Sequence, residues 1–205
     1  MTLVGIANIK GGQGKTTWAC SLASFLEAEI FDLNPENGDA FAWAEEGTRH
    51  PARLVYPTEL AILENASKGM PWVVADCPPW DGPETRAVLG LAKAILIPVA
   101  SGYQDLRGLA RMLDLVQEAR EHANPKLVVG IMGNGRRAVA FTEPWETALK
   151  GCHDSKRRTH YLGTVPQRQA FVDAFGANQP TFLAPGLAGQ EAREFLTRFI
   201  SLFKG

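Results

Sequence analysis

Uninterrupted apolar runs rich in Val, Ile and Leu recur along the chain, at Leu3 to Ile9, Glu29 to Leu33, Arg53 to Tyr56, Trp72 to Asp76, Ala94 to Val99 and Leu127 to Met132. Continuous runs of this kind, unlike alternating ones, fit strands covered on both faces. Between most of them the apolar positions change to helical spacing. Leu22, Phe25 and Leu26 follow the first run, and Leu106, Leu109, Leu113 and Val116, with Leu115 beside them, follow the fifth. Strands alternating with helices predict a doubly wound α/β fold, a mostly parallel sheet flanked by helices. Near the end, Phe195, Leu196, Phe199, Ile200 and Phe203 form an i, i+3, i+4 stripe among the cations Arg193, Arg198 and Lys204. Such a stripe reads either as a closing helix packed on the sheet or as a helix lying on a membrane surface. No linker, repeat or low-complexity tract interrupts the pattern, and 205 residues at roughly 150 per domain predict one domain spanning 1–205.

Composition narrows the class without naming a chemistry. Hydrophobic residues at 45% and charged residues at 21% are ordinary for a globular chain and exclude disordered and collagen-like classes. The net charge of −1 means that any affinity for nucleic acid must come from a local patch. Charge is unevenly spread: Glu27 to Glu46 holds seven acids and no base, whereas Lys126 to Arg168 holds eight bases and three acids. Cys20, Cys77 and Cys152 form no CxxC pair, which argues against a disulfide framework or a zinc site and for a reducing compartment, with the cytoplasm as default. No leader-like segment or membrane-length apolar run is evident.

The strongest chemical signal follows the first strand, where Lys10-Gly11-Gly12-Gln13-Gly14-Lys15-Thr16-Thr17 leads into a helix. Glycines allow a tight turn whose backbone N–H groups point at phosphate oxygens, and the helix N-terminus adds the positive end of its dipole. Lys15 is placed to reach the β and γ phosphates, and Thr16 offers a hydroxyl to Mg²⁺. The general GxxxxGK[ST] pattern is not met, because Ile9 stands where its first Gly belongs and Lys10 opens the loop instead. A glycine-rich turn with incidental lysines is the bland alternative.

KGGxGKTT with its extra lysine resembles the deviant Walker A box of the ParA/MinD family of P-loop ATPases. Three further stretches agree with that resemblance: Val73 to Pro79, like the family's Walker B strand and Pro-Pro turn; Ala94 to Val99 with Tyr103, Gly108 and Leu109; and Thr164 to Arg168, like the segment that closes over adenine. The small plasmid-type ParA partition proteins are the most similar in length. The resemblance implies an ATP-dependent homodimer, an ATP hydrolase with ATP and Mg²⁺ as cofactors, in which Lys15 acts on its own subunit's nucleotide and Lys10 on the partner's. Asp76 is implied as a Mg²⁺ contact through water and Asp32 as a neighbour of the metal shell, each with a strand-end hydrogen-bonding role as its alternative. Where the family carries a second carboxylate in the next strand's Asp-x-Asp-Pro-Gln, this chain has Asn34, so slow hydrolysis is expected. Asn134 and Pro166 are candidates for adenine contacts, although Asn in Gly-Asn-Gly can serve only as a turn residue.

Arg136, Arg137, Lys156, Arg157 and Arg158 are candidates for nonspecific DNA contacts, or simply solvated surface charge. The family resemblance implies a nucleoid-associated cytoplasmic protein that partitions plasmid, chromosome or other cargo, with a ParB-like partner stimulating hydrolysis. The alternatives are a MinD-like membrane-associated positioning ATPase and a nucleotide-binding scaffold with little hydrolysis.

Overall fold

A computed structural model of the chain describes residues 2–48, 50–65, 72–136 and 142–204, without the side chains of residues 48, 65, 136 and 142. Seven strands form one sheet: β1 (Thr2–Ile6), β2 (Glu29–Asp32), β3 (Ala52–Leu54), β4 (Trp72–Asp76), β5 (Ala94–Ala100), β6 (Val128–Arg136) and β7 (Thr159–Pro166). Their order across the sheet is β3-β2-β4-β1-β5-β6-β7, and every neighbouring pair is parallel. Parallel pairs need crossovers, and helices supply them: α1 (Lys15–Leu26), α2 (Asp39–Trp43), α3 (Ile62–Asn65), α4 (Pro83–Leu91), α5 (Tyr103–His122) and α6 (Thr142–Gly151), with α7 (Gln169–Gly176) and α8 (Leu187–Ser201) following the last strand.

The two faces of the sheet carry separate cores. Trp18, Leu22 and Ala23 of α1 pack with Phe195, Leu196 and Phe199 of α8 on one face. On the other, Val88 and Leu89 of α4 meet Leu109, Met112 and Val116 of α5, with Trp145 and Leu149 of α6. The doubly wound expectation is therefore met, and the terminal stripe is settled: Phe195, Leu196, Phe199, Ile200 and Phe203 are all buried. At about 2 kcal/mol for each buried apolar side chain, that stripe is committed to the core and is no free membrane face. No helix among the described residues is long and apolar enough to cross a membrane.

Two strands depart from the sequence expectation. β6 continues through Gly133-Asn134-Gly135 to Arg136 instead of stopping at Met132, with register irregularities between Ile131 and Gly133 and between Asn134 and Arg136. Asn134 therefore sits in a strand opposite Val165 and not in a turn. β7, absent from the expected set, lies at the sheet edge with β6 as its strand neighbour, and its first residue, Thr159, also bridges to Asp154. An edge strand is only partly covered, so Thr159-His160-Tyr161-Leu162-Gly163 lacks the continuous apolar signature.

Candidate nucleotide-binding site

β1 lies at the middle of the sheet, between β4 and β5, and its C-terminal end feeds the loop Lys10 to Gly14. In open parallel sheets the crevice for ligands forms at the carboxyl ends of the strands. Here Gly12 and Gly14 take φ of 71° and 84°, and a Cβ on Gly14 would stand 2.4 Å from Asn134 Nδ2. Both strain and space demand glycine at position 14, which is also the N-cap of α1. The loop floors a cleft of about 690 Å³ whose walls include Lys10 to Gly14, Thr17, Asn134 and Pro166.

Beneath the loop the polar groups converge. Thr16 Oγ1 donates to Asp76 Oδ2 at 2.7 Å, and Asp76 Oδ1 is buried with no hydrogen-bond partner among the described residues. Burial, and then the nearby Asp32 carboxylate, push the Asp76 carboxyl up to about 7 against the Thr16 hydrogen bond and Lys15. An orphaned carboxylate oxygen next to a threonine hydroxyl under a phosphate loop is the donor chemistry that Mg²⁺ takes, so the residues present fit that ion. Lys15 is buried, its ammonium donates to Lys10 O at 3.2 Å, and burial lowers its pKa although Asp76 opposes the shift.

Asp32 stands beside Asp76 in the register of β2 and β4, but its oxygens are engaged. Oδ1 accepts from Asn34 N, and Oδ2 from Ala40 N and Phe41 N, at 3.0, 2.9 and 3.1 Å. It thus ties the end of β2 to the start of α2, although burial still raises its pKa. Asn34 is half-buried in the turn that follows, its carbonyl accepting from Asn37 N and Gly38 N, and it does not line the cleft.

At the far end, Asn134 donates to Gln13 O at 2.7 Å and accepts from Trp18 Nε1 at 3.2 Å, so the amide expected to face adenine braces the loop. Pro166 keeps its place on the wall. Arg168, in the stretch expected near adenine, lines the cleft, but sequence reasoning did not anticipate Trp18, Phe171 and Phe175 there. The i, i+4 aromatic pair on α7 was the available signal for the last two. Arg168 is held bidentately by Glu191 at 2.6 and 2.5 Å. Lys10 is met by Asp105 of α5 in its own subunit.

The basic candidates separate. Arg136 ends β6 on the cleft side, Arg137 lies outside the described residues, and Lys156 to Arg158 precede β7 at the opposite edge of the sheet.

A family model for the CobQ/CobB/MinD/ParA nucleotide binding domain matches residues 4–182. The chain belongs to that family. Among curated MinD/ParA relatives, it is 31% identical to the chromosome-partitioning ATPase Soj of Thermus thermophilus over 179 residues, 67% of this chain and 72% of Soj. It is also 31% identical to the maintenance of carboxysome distribution protein A of Gloeobacter kilaueensis over 205 residues, 94% of this chain and 88% of that one. A plasmid partition protein of Borrelia burgdorferi bound to AMPPNP shares the fold, with a TM-score of 0.76 at 16% identity over 98% of both chains. So does MinD of Pyrococcus horikoshii with Mg-ADP, with a TM-score of 0.72 at 13% identity over 98% of this chain and 96% of that one. The MinD/ParA family thus includes partition and carboxysome-positioning ATPases, and the seven-stranded parallel sheet is its fold.

Proposed function

We propose that this chain is a ParA-type ATPase that binds ATP with Mg²⁺, joins a second copy across the nucleotide and positions DNA or other cargo. The observation that carries the reading is the two-lysine phosphate loop together with the Thr16 hydroxyl bonded to Asp76, whose other oxygen is buried with no partner among the described residues. The names of the relatives, in chromosome partition and carboxysome distribution, support a positioning role. Mg²⁺, when bound, neutralises phosphate charge. Lys15 then serves the nucleotide of its own subunit, while Thr16 and Asp76 hold the ion. Lys10, with 37% of its side chain exposed, is accessible to a partner subunit's γ-phosphate. In the dimer, DNA and a hydrolysis-stimulating protein are the partners, in a nucleoid-associated cytoplasmic protein.

The test is dimerisation. With ATP and Mg²⁺ the parent chain sediments as a dimer and with ADP as a monomer. Losing a cation from a desolvated interface costs several kcal/mol, roughly 2–5, so Lys10→Ala binds nucleotide yet stays monomeric. An undiminished Lys10→Ala dimer overturns the role across the interface. A second reading, a nucleotide-binding scaffold with little turnover, rests on the amide of Asn34.

A further inference from the structure

At the amino-terminal edge of the sheet, opposite the nucleotide cleft, the strands begin around a second cavity of about 270 Å³. Buried Leu3, Ala92 and Val128 give it an apolar wall, and exposed Lys93, Lys126 and Arg158 supply its charge, with no acid among the described lining residues. The fold fixes where each cation starts. Lys93 N donates to Leu3 O at 2.9 Å and Lys93 O accepts from Val128 N at 3.2 Å, so this residue is stitched between β1 and β6. Lys126 lies in the turn that Leu127 N closes on Asn124 O at 3.1 Å. Arg158 holds a left-handed φ of 54°, which is unfavourable for a residue with a Cβ. Its carbonyl accepts from Val129 N at 2.9 Å and from Arg120 Nη2 at 3.2 Å. Among the described residues, none of the three cations meets a carboxylate at ion-pair distance. The uncompensated charge reaches inward: burial, and then Arg158 and Arg157, lower the pKa of Arg120, with Asp154 opposing.

We propose that this cavity binds a small phosphorylated molecule, whose phosphate meets Lys93, Lys126 and Arg158 while its apolar body lies on Leu3, Ala92 and Val128. Three cations from separate strand starts converge on one concavity, and one of them is held there in a strained backbone conformation, a cost that solvated surface charge has no reason to bear. Sites for small ligands begin at roughly 300 Å³, so the occupant is compact. The charge alone would suit any phosphate, that of DNA included. The apolar wall favours a free molecule, because a duplex backbone presents phosphate and sugar and leaves those side chains uncovered. Asn124 adds a polar contact: its Nδ2 donates to Leu89 O at 3.0 Å and to Ala92 O at 2.7 Å, which leaves the amide oxygen beside the cavity to accept from a ligand hydroxyl. The site is separate from the cleft and does not rest on the nucleotide reading given above.

Phenyl phosphate and inorganic phosphate present the same charged group and differ by an apolar ring. The parent chain is acylated with acetic anhydride in a titration of each, and the lysine peptides are read by mass spectrometry. Phenyl phosphate should protect Lys93 and Lys126 at about tenfold lower concentration than inorganic phosphate, from the apolar area that the ring covers. Exposed Lys150 of α6, which does not line the cavity, is the reference. Lys15 reads the cleft in the same digest, so a failure of the nucleotide reading shows there and not at Lys93. Arg158→Gln should raise the half-protecting concentration of phenyl phosphate about fivefold, the upper reach of one exposed ion pair. No protection by phenyl phosphate overturns the proposal. Equal potency of the two phosphates, or equal protection by KCl at matched ionic strength, means an adventitious ion only and overturns it too. A short DNA duplex that protects both lysines where phenyl phosphate fails gives the cations to nucleic acid instead. Should Arg158→Gln misfold, the ratio between the two phosphates in the parent decides alone.

Discussion

After β2, Asn34 presents an amide, which can orient a water molecule but cannot take its proton. The adjacent acid cannot substitute in place, because Asp32 spends both oxygens on three backbone N–H groups. Under the proposed ATPase reading, the missing element is a positioned base and not phosphate affinity. Asn34→Asp should therefore raise single-turnover ATP hydrolysis by roughly ten to a hundredfold with ATP affinity nearly unchanged. Equal rates in the two proteins would assign the task to exposed Glu36 or Asp39. At this scale the sequence was legible where residue type alone dictates chemistry: two lysines, Thr16 and glycines of a phosphate loop require no partner to be recognised. It was silent on contacts between residues 92 and 95 positions apart, as between Asp105 and Gln13 or Lys10. Asn134 was read from its place after a strand, but its direction depends on the backbone of Gln13, which only the folded loop supplies.

Among the elements, legibility follows coverage by neighbours. β1, β4 and β5 are flanked by strands and packed beneath helices, so their residues are almost all buried, and the continuous apolar run is a direct image of that environment. β7 has one strand neighbour and intermediate burial at five of its eight positions, which leaves polar and aromatic residues acceptable. His160 is one of them. Burial lowers its pKa, and His153, Arg158 and Arg120 add to the shift. A histidine whose folded pKa lies below its unfolded value of about 6.5 is penalised when charged, so the unfolded chain binds protons first and stability is lost as pH falls through that region. Thermal unfolding followed from pH 7.5 to 5 should show a steeper acid loss for the parent than for His160→Gln. Parallel curves would mean that the edge of β7 tolerates the imidazolium.

Across the whole molecule, the parallel sheet gives the protein two unlike ends. Phosphate loop, Asp76, Asn134 and the end of β6 share the carboxyl-terminal edge, whereas Lys156 to Arg158 lie before β7 at the other. Eight residues of β7 at about 3.3 Å each separate them by roughly 26 Å, so the basic candidates form two patches and not one cluster. In the proposed dimer, joined at its two clefts, Lys156 to Arg158 would lie at the end of each chain away from the joined faces. On that proposal, a gain in DNA affinity with ATP is expected from the cleft side, where Arg136 ends its strand, and not from this trio. Replacing Lys156, Arg157 and Arg158 together by Ala should weaken binding to DNA of any sequence and flatten the log–log salt slope by up to about 3, the counterions that three cations release. Arg157 already has Asp154 within 3.6 Å, which places the expected change below that ceiling. The loss should be the same with ADP and with a nonhydrolysable ATP analogue, because the patch does not join its copy across the cleft. Fluorescence anisotropy on a short duplex over a salt series, in both nucleotide states, decides it. A loss confined to the ATP state would mean that the two ends meet on the DNA and that the chains pair by another face, while an unchanged slope in both states would remove the trio from DNA contact.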